Sequence, residues 1–570
     1  MIVLLAPGAA DRRRDAGRHT LVAVAHQRLM VLMLLFMFMT ASIVARLGWL
    51  AISAEPATTR DAAALLVPLR GDIVDRTGAP LARTIDAWSI GVQPGNVIGD
   101  KAALAQRLAE LMPEGDAGYY FRLLTIKARF TYLKHRAMPE LVAAVNALGE
   151  PGITFAREPE RLYPQSALAA QALGYLNADR RGVRGMEKAL DGRLTDAAAR
   201  AAPVALSIDL RVQAALESEL GRAMGAFQAK GAAGVILDVA TGEVVAMSSL
   251  PTFNPNKVRA GEGSLLNTVT QSDYELGSTF KPITMAAAID SGTVTSMARR
   301  FDATAPLQVG RFKIKDDHAQ KRWLNIPETL IHSSNIATAR IADELGEARM
   351  SAMFRKLGFD TAPDIEIEKV HPLWPRYWAR TTVMTTAYGH GIAVTPLHLA
   401  SAYAALVNGG VWRPATLLKV APGKAAAGRR VIQEATSARM RQLLRLIVTH
   451  GTGKKGEALG YRVGGKTGTA EKPAEGGGYS RNVNVSTFAA AFPMDAPRYV
   501  VVAMLDSPVG NAESFGQVTA AYTAAPVVGR VIMRTGALLG VTPDMNRDVD
   551  VSDITPLLWR APGEKPGLAE

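Results

Sequence analysis

The stretch Leu276-Gly-Ser-Thr-Phe-Lys-Pro-Ile-Thr-Met-Ala-Ala-Ala-Ile-Asp290 places a hydroxyl and an amine three residues apart at the opening of an apolar helix. Helical geometry puts residues three apart on one face, so the Ser278 hydroxyl and the Lys281 amine can meet. A serine hydroxyl is a poor nucleophile until a base takes its proton, and a neutral lysine beside it can do so. That lysine must be desolvated, or must lie near other positive charge, to be neutral near pH 7. Taken alone the pattern is weak. A serine-x-x-lysine match arises by chance in a chain this long, and its ordinary meaning is an N-capping serine before a solvent-facing lysine.

Two further groups lie downstream. Ser333-Ser334-Asn335 begins 55 residues on, ahead of the helical run Ile336–Leu345; by itself it reads as a helix cap. Lys466-Thr467-Gly468-Thr469 follows the β-like Tyr461–Gly465. A lysine and two hydroxyls at a strand edge can bind a carboxylate and offer backbone N–H groups, although an exposed edge lysine is the commoner occurrence. Gly460–Thr467 also satisfies the phosphate-loop pattern G-x-x-x-x-G-K-[ST]. That reading needs a helix starting at the lysine. Pro473 and the glycines at 476–478 leave no room for one, so a nucleotide site is rejected.

Around these groups, Val212, Leu216, Leu220 and Met224 fall four apart and form one helix face. Ala233–Val239 and Glu243–Ser248 read as a hairpin turned at Ala-Thr-Gly; Ser486–Ala491 and Tyr499–Leu505 are β-rich, and an Ala/Val-rich helix follows from Thr519. Residues 206–540 are therefore expected to form a sheet covered by helices. Residues 54–205 read as a mixed α+β, elongated, non-catalytic module. In it Arg70–Ala82 makes two short strands about a turn at Asp75–Gly78, Trp88–Val92 alternates as a strand, residues 100–150 are helical, and Arg157–Leu176 is extended and then helical. Residues 541–570, with four prolines and many charges, read as a poorly ordered tail.

Leu29–Ala45 is an uncharged run of 17 residues, about 26 Å of helix against a hydrocarbon core of ~30 Å. Five arginines precede it (12, 13, 14, 18 and 28) against Asp11 and Asp15, and Trp49 follows. The expected topology is a cytoplasmic tail 1–28, an uncleaved anchor 29–52, and the remainder outside. With 570 residues, no cysteine and 48% hydrophobic content the chain is expected to fold as several domains, without disulfides, cysteine-based metal sites or a thiol nucleophile. Its net charge of +13 is spread along the chain rather than gathered in a recognition motif, which argues against nucleic acid and suits anionic lipid or an anionic wall polymer.

The three groups in this order and spacing resemble the serine acyltransferases whose signature is Ser-x-x-Lys, Ser-x-Asn and Lys-Thr-Gly, namely penicillin-binding proteins and serine β-lactamases. Gly185-Met-Glu187, Ser207–Gln213, Ala240–Met247, Pro251–Asn256 and Tyr388–Ala400 extend the likeness to class B penicillin-binding proteins over roughly residues 30–535. The stretch Thr469–Pro508 is more similar to the division-specific, FtsI-type members than to the elongation-specific ones. Leu276 stands where the family usually has proline, and Thr268 where an arginine commonly follows the asparagine.

The resemblance implies a penicillin-binding, serine β-lactamase-like transpeptidase domain on a pedestal, monofunctional because no glycosyltransferase motif is visible. Ser278 would attack the penultimate D-Ala of a D-Ala-D-Ala stem and Lys281 would act as base. Ser333 and Lys466 would relay the proton, Asn335 would hold Lys281 and the substrate amide, and Thr467, Gly468 and Thr469 would bind substrate. The Ser278 and Thr469 N–H groups would form the oxyanion hole. It further implies β-lactams as inhibitors, no metal or other cofactor, an inner-membrane location with a periplasmic catalytic domain, and FtsW-like polymerase and divisome partners. An elongation-specific transpeptidase, a D,D-carboxypeptidase and a β-lactam-sensing non-enzyme remain the alternatives.

Overall fold

The computed structural model describes residues 9–53, 69–259, 261, 263–473 and 478–559. The chain divides into two units, Met1–Val67 and Pro68–Glu570. In the first, helix α1 (Ala9–Ser53) contains a 24-residue span, His26–Trp49, long and apolar enough to cross a membrane. At ~1.5 Å per residue it reaches about 36 Å, and its large side chains, Phe36 and Phe38 among them, are exposed. By length and composition it suits a single-pass membrane anchor.

The second unit opens with a five-stranded sheet of β1 (Ile73–Val74), β2 (Pro80–Val92), β3 (Thr131–Ala137), β4 (Ile153–Leu162) and β5 (Val204–Ala205), in which the long β2 pairs with β1, β3 and β4. Helices α2 (Lys101–Leu111), α3 (Ala117–Thr125) and α4 (Pro139–Asn146) bury Leu104, Leu108, Tyr120, Leu124 and Val145 with Ile90 of β2. Asp100 and Asp116 cap the first two by accepting backbone N–H bonds at 2.9 and 2.6 Å. The expectation of helix throughout 100–150 is corrected at Thr131–Ala137. There the β-branched and aromatic residues pair with β2 and bury Leu133 and Ala137, so strand partnership overrides helical spacing.

A buried ion knot ties the start of this module to its later segments. Glu187, wholly buried, accepts from Arg70 Nε at 2.8 Å and from Arg161 Nε at 2.7 Å. Arg70 also bonds Asp191 and the Glu187 carbonyl, both at 2.7 Å, and Arg161 bonds the Gly71 carbonyl at 2.9 Å.

The larger part is built on an antiparallel sheet. Its elements are α5 (Leu210–Ala226), β6 (Gly231–Asp238), β7 (Val244–Leu250), α6 (Lys281–Asp290), α7 (Asn335–Lys356, broken at Gly346), α8 (Pro396–Val407), α9 (Glu434–His450), β8 (Gly464–Pro473), β9 (Tyr479–Phe492), β10 (Tyr499–Asp506) and α10 (Ala524–Thr535). The sheet order is β8-β9-β10-β6-β7. Alternate residues of β10 serve two cores. Val500, Val502 and Met504 pack with α6, α8 and α9, while Val501, Ala503 and Leu505 pack with Val212, Leu216 and Leu220 of α5 and with Val527, Val528, Val531 and Ile532 of α10. Both faces are thus covered, which is why β10 is apolar at every position up to Asp506.

The C-terminal segment departs from the sequence reading. Within the described residues, 541–559 are docked rather than loose. Arg445 binds Asp548, Arg439 binds Asp553, Asn325 Nδ2 donates to the Leu557 carbonyl at 2.6 Å, and Ile554 is buried. Proline and charge content hid these contacts because the partners lie more than 100 residues away in sequence. Residues 560–570 lie outside the described residues.

Candidate active site

Ser278 lies half-buried in a 3₁₀ turn, Gly277–Phe280, that runs directly into α6. The turn is wedged between backbones. Gly277 adopts φ +54°, a region that favours glycine. A Cβ on Gly468 of β8 would lie 2.3 Å from the Leu276 carbonyl oxygen, and one on Gly389 would lie 2.3 Å from that of Gly277. Only glycines let these three segments approach so closely. Thr279 Oγ1 donates to the Leu276 carbonyl at 2.9 Å, and the buried Tyr403 hydroxyl donates to the Thr279 carbonyl at 2.9 Å. Ser278 therefore sits on a rigid support.

Lys281, one turn along, is completely buried. Its Nζ donates to Ser333 Oγ at 3.0 Å and to the Ser333 carbonyl. Burial pushes the amine down to about 7, opposed by the negative charges of Asp316 and Asp317. At that value roughly half of it is neutral at pH 7, against about one part in three thousand for an ordinary lysine. Ser333 can present both oxygens because it holds φ +58°, a strained conformation for a residue with a side chain. Asp316 secures the turn around it: its carboxylate accepts from Ser334 Oγ at 2.8 Å and from the Ile336 N–H at 2.9 Å. Ser334 in turn caps α7 by accepting from the Ala337 N–H at 3.0 Å.

Lys466, on β8, is also wholly buried, because the sheet edge that would leave it exposed is covered by the Ser278 turn. Burial first, and the charge of Lys281 second, hold its amine well below the ordinary lysine value. Its Nζ donates to the Thr467 carbonyl at 2.9 Å and to Thr467 Oγ1 at 3.3 Å. Thr467 Oγ1 also lies 2.8 Å from Thr452 Oγ1, and Thr469 Oγ1 accepts from the Ala520 N–H at 3.1 Å. The lysine of the phosphate-loop pattern lies within a strand, and no helix begins there.

All three groups converge here, with two differences from what the family resemblance implies. Lys281 bonds to Ser333, and among the described residues no hydrogen bond joins it to Ser278. Asn335 Nδ2 donates to the Lys315 carbonyl at 2.9 Å, not to Lys281; both Asn335 and Asp316 tie the 315–316 segment to the start of α7. Sequence reading missed Asp316, Tyr403 and Thr452. The acidic pair Asp316-Asp317 was the one local signal, and nothing in sequence connects it to a motif 18 residues away. The grouping of possible metal ligands among the described residues, His135 with Glu158 and Glu160, lies on β3 and β4 rather than here, and its His135–Glu160 contact of 3.1 Å reads as a hydrogen bond.

Comparison with known proteins gives a consistent family. The sequence model "Penicillin binding protein transpeptidase domain" matches residues 232–529, and "Penicillin-binding Protein dimerisation domain" matches residues 65–196. The chain is 40% identical over 532 residues to the probable peptidoglycan D,D-transpeptidase FtsI of Caulobacter vibrioides, spanning 90% of this chain and 89% of that one. It is 30% identical over 512 residues to peptidoglycan D,D-transpeptidase FtsI of Escherichia coli K12, spanning 83% and 84%. Among solved structures, penicillin binding protein 3 of Mycobacterium tuberculosis complexed with ampicillin is similar at TM-score 0.67 and 25% identity, covering 85% of this chain and 99% of that one.

Proposed function

Because the chain belongs to the FtsI-type class B penicillin-binding proteins, we propose that its peptidoglycan D,D-transpeptidase activity runs through an acyl-enzyme on Ser278. The observation that carries this assignment is Lys281: a buried amine lowered to about 7, one helical turn from a serine hydroxyl. In the first step the Ser278 oxygen bonds to the carbonyl carbon of the penultimate D-Ala, and its proton passes to Lys281. The tetrahedral oxyanion is met by the backbone N–H groups of Ser278 and Thr469. As the C–N bond breaks, the departing D-Ala amine takes a proton by way of Ser333, which already bonds Lys281. In the second step an amine of a neighbouring stem attacks the ester, the C–O bond breaks, and Ser278 regains its proton.

Lys281 lies close enough to Lys466 for its charge to lower the Lys466 amine beyond what burial does. Thr467, Gly468 and Thr469 line the strand that takes the substrate carboxylate, and Asn335 acts by holding the turn that carries Ser333. The transpeptidase domain binds β-lactams as substrate mimics that leave a slow acyl-enzyme. The chain works as a monofunctional cross-linking enzyme, with residues 54–205 as a non-catalytic pedestal and 206–540 as the catalytic domain.

Labelling with fluorescent penicillin and mapping the modified peptide tests the core of this reading. Label on the peptide containing Ser278, lost in Ser278→Ala, is expected; label elsewhere overturns it.

The biological setting is the septum, with an FtsW-like polymerase and divisome proteins as partners. The support is the FtsI naming of relatives together with an enzyme that can join stems but has no visible means of making glycan. Depletion should yield filaments without completed septa; rounded cells that still divide would assign it to elongation. The arginine-rich segment before the span orients the anchor with residues 1–28 cytoplasmic and the catalytic domain periplasmic. Protease added to spheroplasts should therefore digest the catalytic domain.

A further inference from the structure

Strand β8 carries Lys466–Thr469 at the edge of its sheet, with β9 as its one sheet neighbour among the described residues. Its other edge faces the Ser278 turn through the close approach of Gly468 to Leu276. A Cβ on Gly277 would also lie 2.9 Å from the Thr469 carbonyl oxygen, and Thr467 and Thr469 bond Thr452 and the Ala520 N–H, so the middle of the strand is held at several points. Further attachments lie at the far end, where Lys472 Nζ bonds the Asp506 carboxylate of β10 at 2.8 and 2.9 Å. Tyr479, the first residue of β9, pairs with Pro473, the last residue of β8, beyond a register shift after Glu471. From Thr469 to Pro473 is about 13 Å of strand. The Tyr479 hydroxyl donates to the two Glu275 carboxylate oxygens at 2.9 and 3.2 Å.

Glu275 lies three residues before Ser278, and its side chain is largely buried, 10% exposed. The same carboxylate accepts from the Gly391 N–H at 2.8 Å and lies 3.3 Å from His390 Nδ1. The His390 ring packs edge-on between Tyr388 and Tyr479, at 5.4 and 5.7 Å between ring centres. The loop holding His390 is already anchored: Tyr274 and Val394 exchange two backbone hydrogen bonds at 3.0 Å, and Gly389 abuts Gly277. One carboxylate thus joins three segments (the residues leading to the nucleophile, the 388–391 loop and the far end of the β8–β9 pair). Burial and the Glu275 charge keep the Tyr479 phenol above its ordinary value, so it stays a donor.

We propose that Glu275 is a positioning residue that, through Tyr479, Gly391 and His390, sets the angle between the Lys466–Thr469 strand and the Ser278 turn. That angle fixes the spacing of the two backbone N–H groups that receive the oxyanion; the inference rests on the acyl-enzyme reading above. The contacts at Gly468 and Thr469 hold the strand beside the nucleophile, and the Tyr479–Glu275 bond ties its far end to the residues that lead to Ser278. The oxyanion is present only in the transition state, so losing the far attachment slows the acylation step and leaves initial binding nearly intact.

The test follows acylation of the full-length protein by fluorescent penicillin, resolved into non-covalent affinity and the first-order acylation rate. Tyr479→Phe, which deletes one hydroxyl, is expected to acylate roughly 5- to 10-fold more slowly with affinity changed less than about 2-fold. Glu275→Gln, still able to accept both bonds, should stay within about 3-fold of the parent, whereas Glu275→Ala should lose about 10-fold. The double variant Glu275→Ala/Tyr479→Phe should be no slower than Glu275→Ala, because both remove one link. Parental acylation by Tyr479→Phe, losses that multiply in the double variant, or a Glu275→Ala defect confined to affinity would each overturn the proposal. If Glu275→Ala does not fold, Tyr479→Phe and Glu275→Gln carry the test. Parent protein labelled on a peptide lacking Ser278 would instead overturn the nucleophile assignment, which peptide mapping reads before any variant is made.

Discussion

Lys281 Nζ donates to Ser333 Oγ at 3.0 Å, and Ser333 holds φ +58°. The two facts belong together: the unusual backbone conformation turns both the hydroxyl and the carbonyl of Ser333 onto one buried amine. Lowering that amine from 10.5 to about 7 corresponds to roughly 5 kcal/mol against its charged form. The Asp316 and Asp317 charges offset only part of the burial.

Removal of the base should be costly. Lys281→Ala is expected to lower penicillin acylation at least ~100-fold, within the usual range for loss of a general base. Acylation rates of the purified variant, checked for folding by circular dichroism, measure this. A near-normal rate in a folded variant would place the proton elsewhere.

The pH dependence follows from the neutral form of Lys281 being the active one. Acylation should rise about tenfold per pH unit below about 7 and level off above it. Asp317 raises the value, so Asp317→Asn should move this limb to lower pH; a move to higher pH would contradict the assignment. Stability carries the same sign. Between about 7 and 10.5 the unfolded chain holds a proton on Lys281 that the native state does not, so this group adds stability as pH rises through that window. Melting temperatures of Lys281→Met across the window should show a flatter dependence than the parent.

Gly468→Ala tests the close approach at the nucleophile. Its Cβ would sit 2.3 Å from the Leu276 carbonyl oxygen, so β8 must move away from the turn. Overpacking of this kind costs about 1–3 kcal/mol, and misplacement of the reacting groups should slow acylation about tenfold or more. Denaturant unfolding and acylation kinetics should both change; a variant normal in both would show that the strand yields freely.

The pedestal offers a control in which stability and chemistry separate. Glu187→Ala leaves Arg70 and Arg161 buried without their shared partner, a loss of about 3–5 kcal/mol. Unfolding should occur at lower denaturant, while the acylation rate of the folded fraction stays within about 2-fold because the hydrogen bonds of Arg70 and Arg161 go to Glu187, Asp191, Gly71 and Thr84, none of them at the site. A large acylation defect would mean that the pedestal conditions the active site.

The hairpin of β6 and β7, the helix face of α5, the strands β9 and β10 and the long apolar span of α1 were all legible in the sequence. Each is a local periodicity, and local periodicity reflects which side of an element meets water. The three motifs were legible too, because the chemistry needs particular side chains in order along the chain. Thr131–Ala137 was misread as helical, and the docking of residues 541–559 was missed, because their partners come from β2 and α9 and leave no periodic trace.

What the sequence alone determined was the identity and order of Ser278, Lys281, Ser333, Asn335 and Lys466, and the alternation of helix and strand that carries them. Only the tertiary structure decided that Lys281 and Lys466 lose all contact with water, that Ser333 adopts a left-handed backbone, and that Asn335 ties down Lys315. Only it showed Glu275 as the point where Tyr479, Gly391 and His390 meet. The reason is physical. A proton affinity near neutral pH arises from burial by segments remote in sequence, and a hydrogen bond across 204 residues has no local pattern from which it can be read.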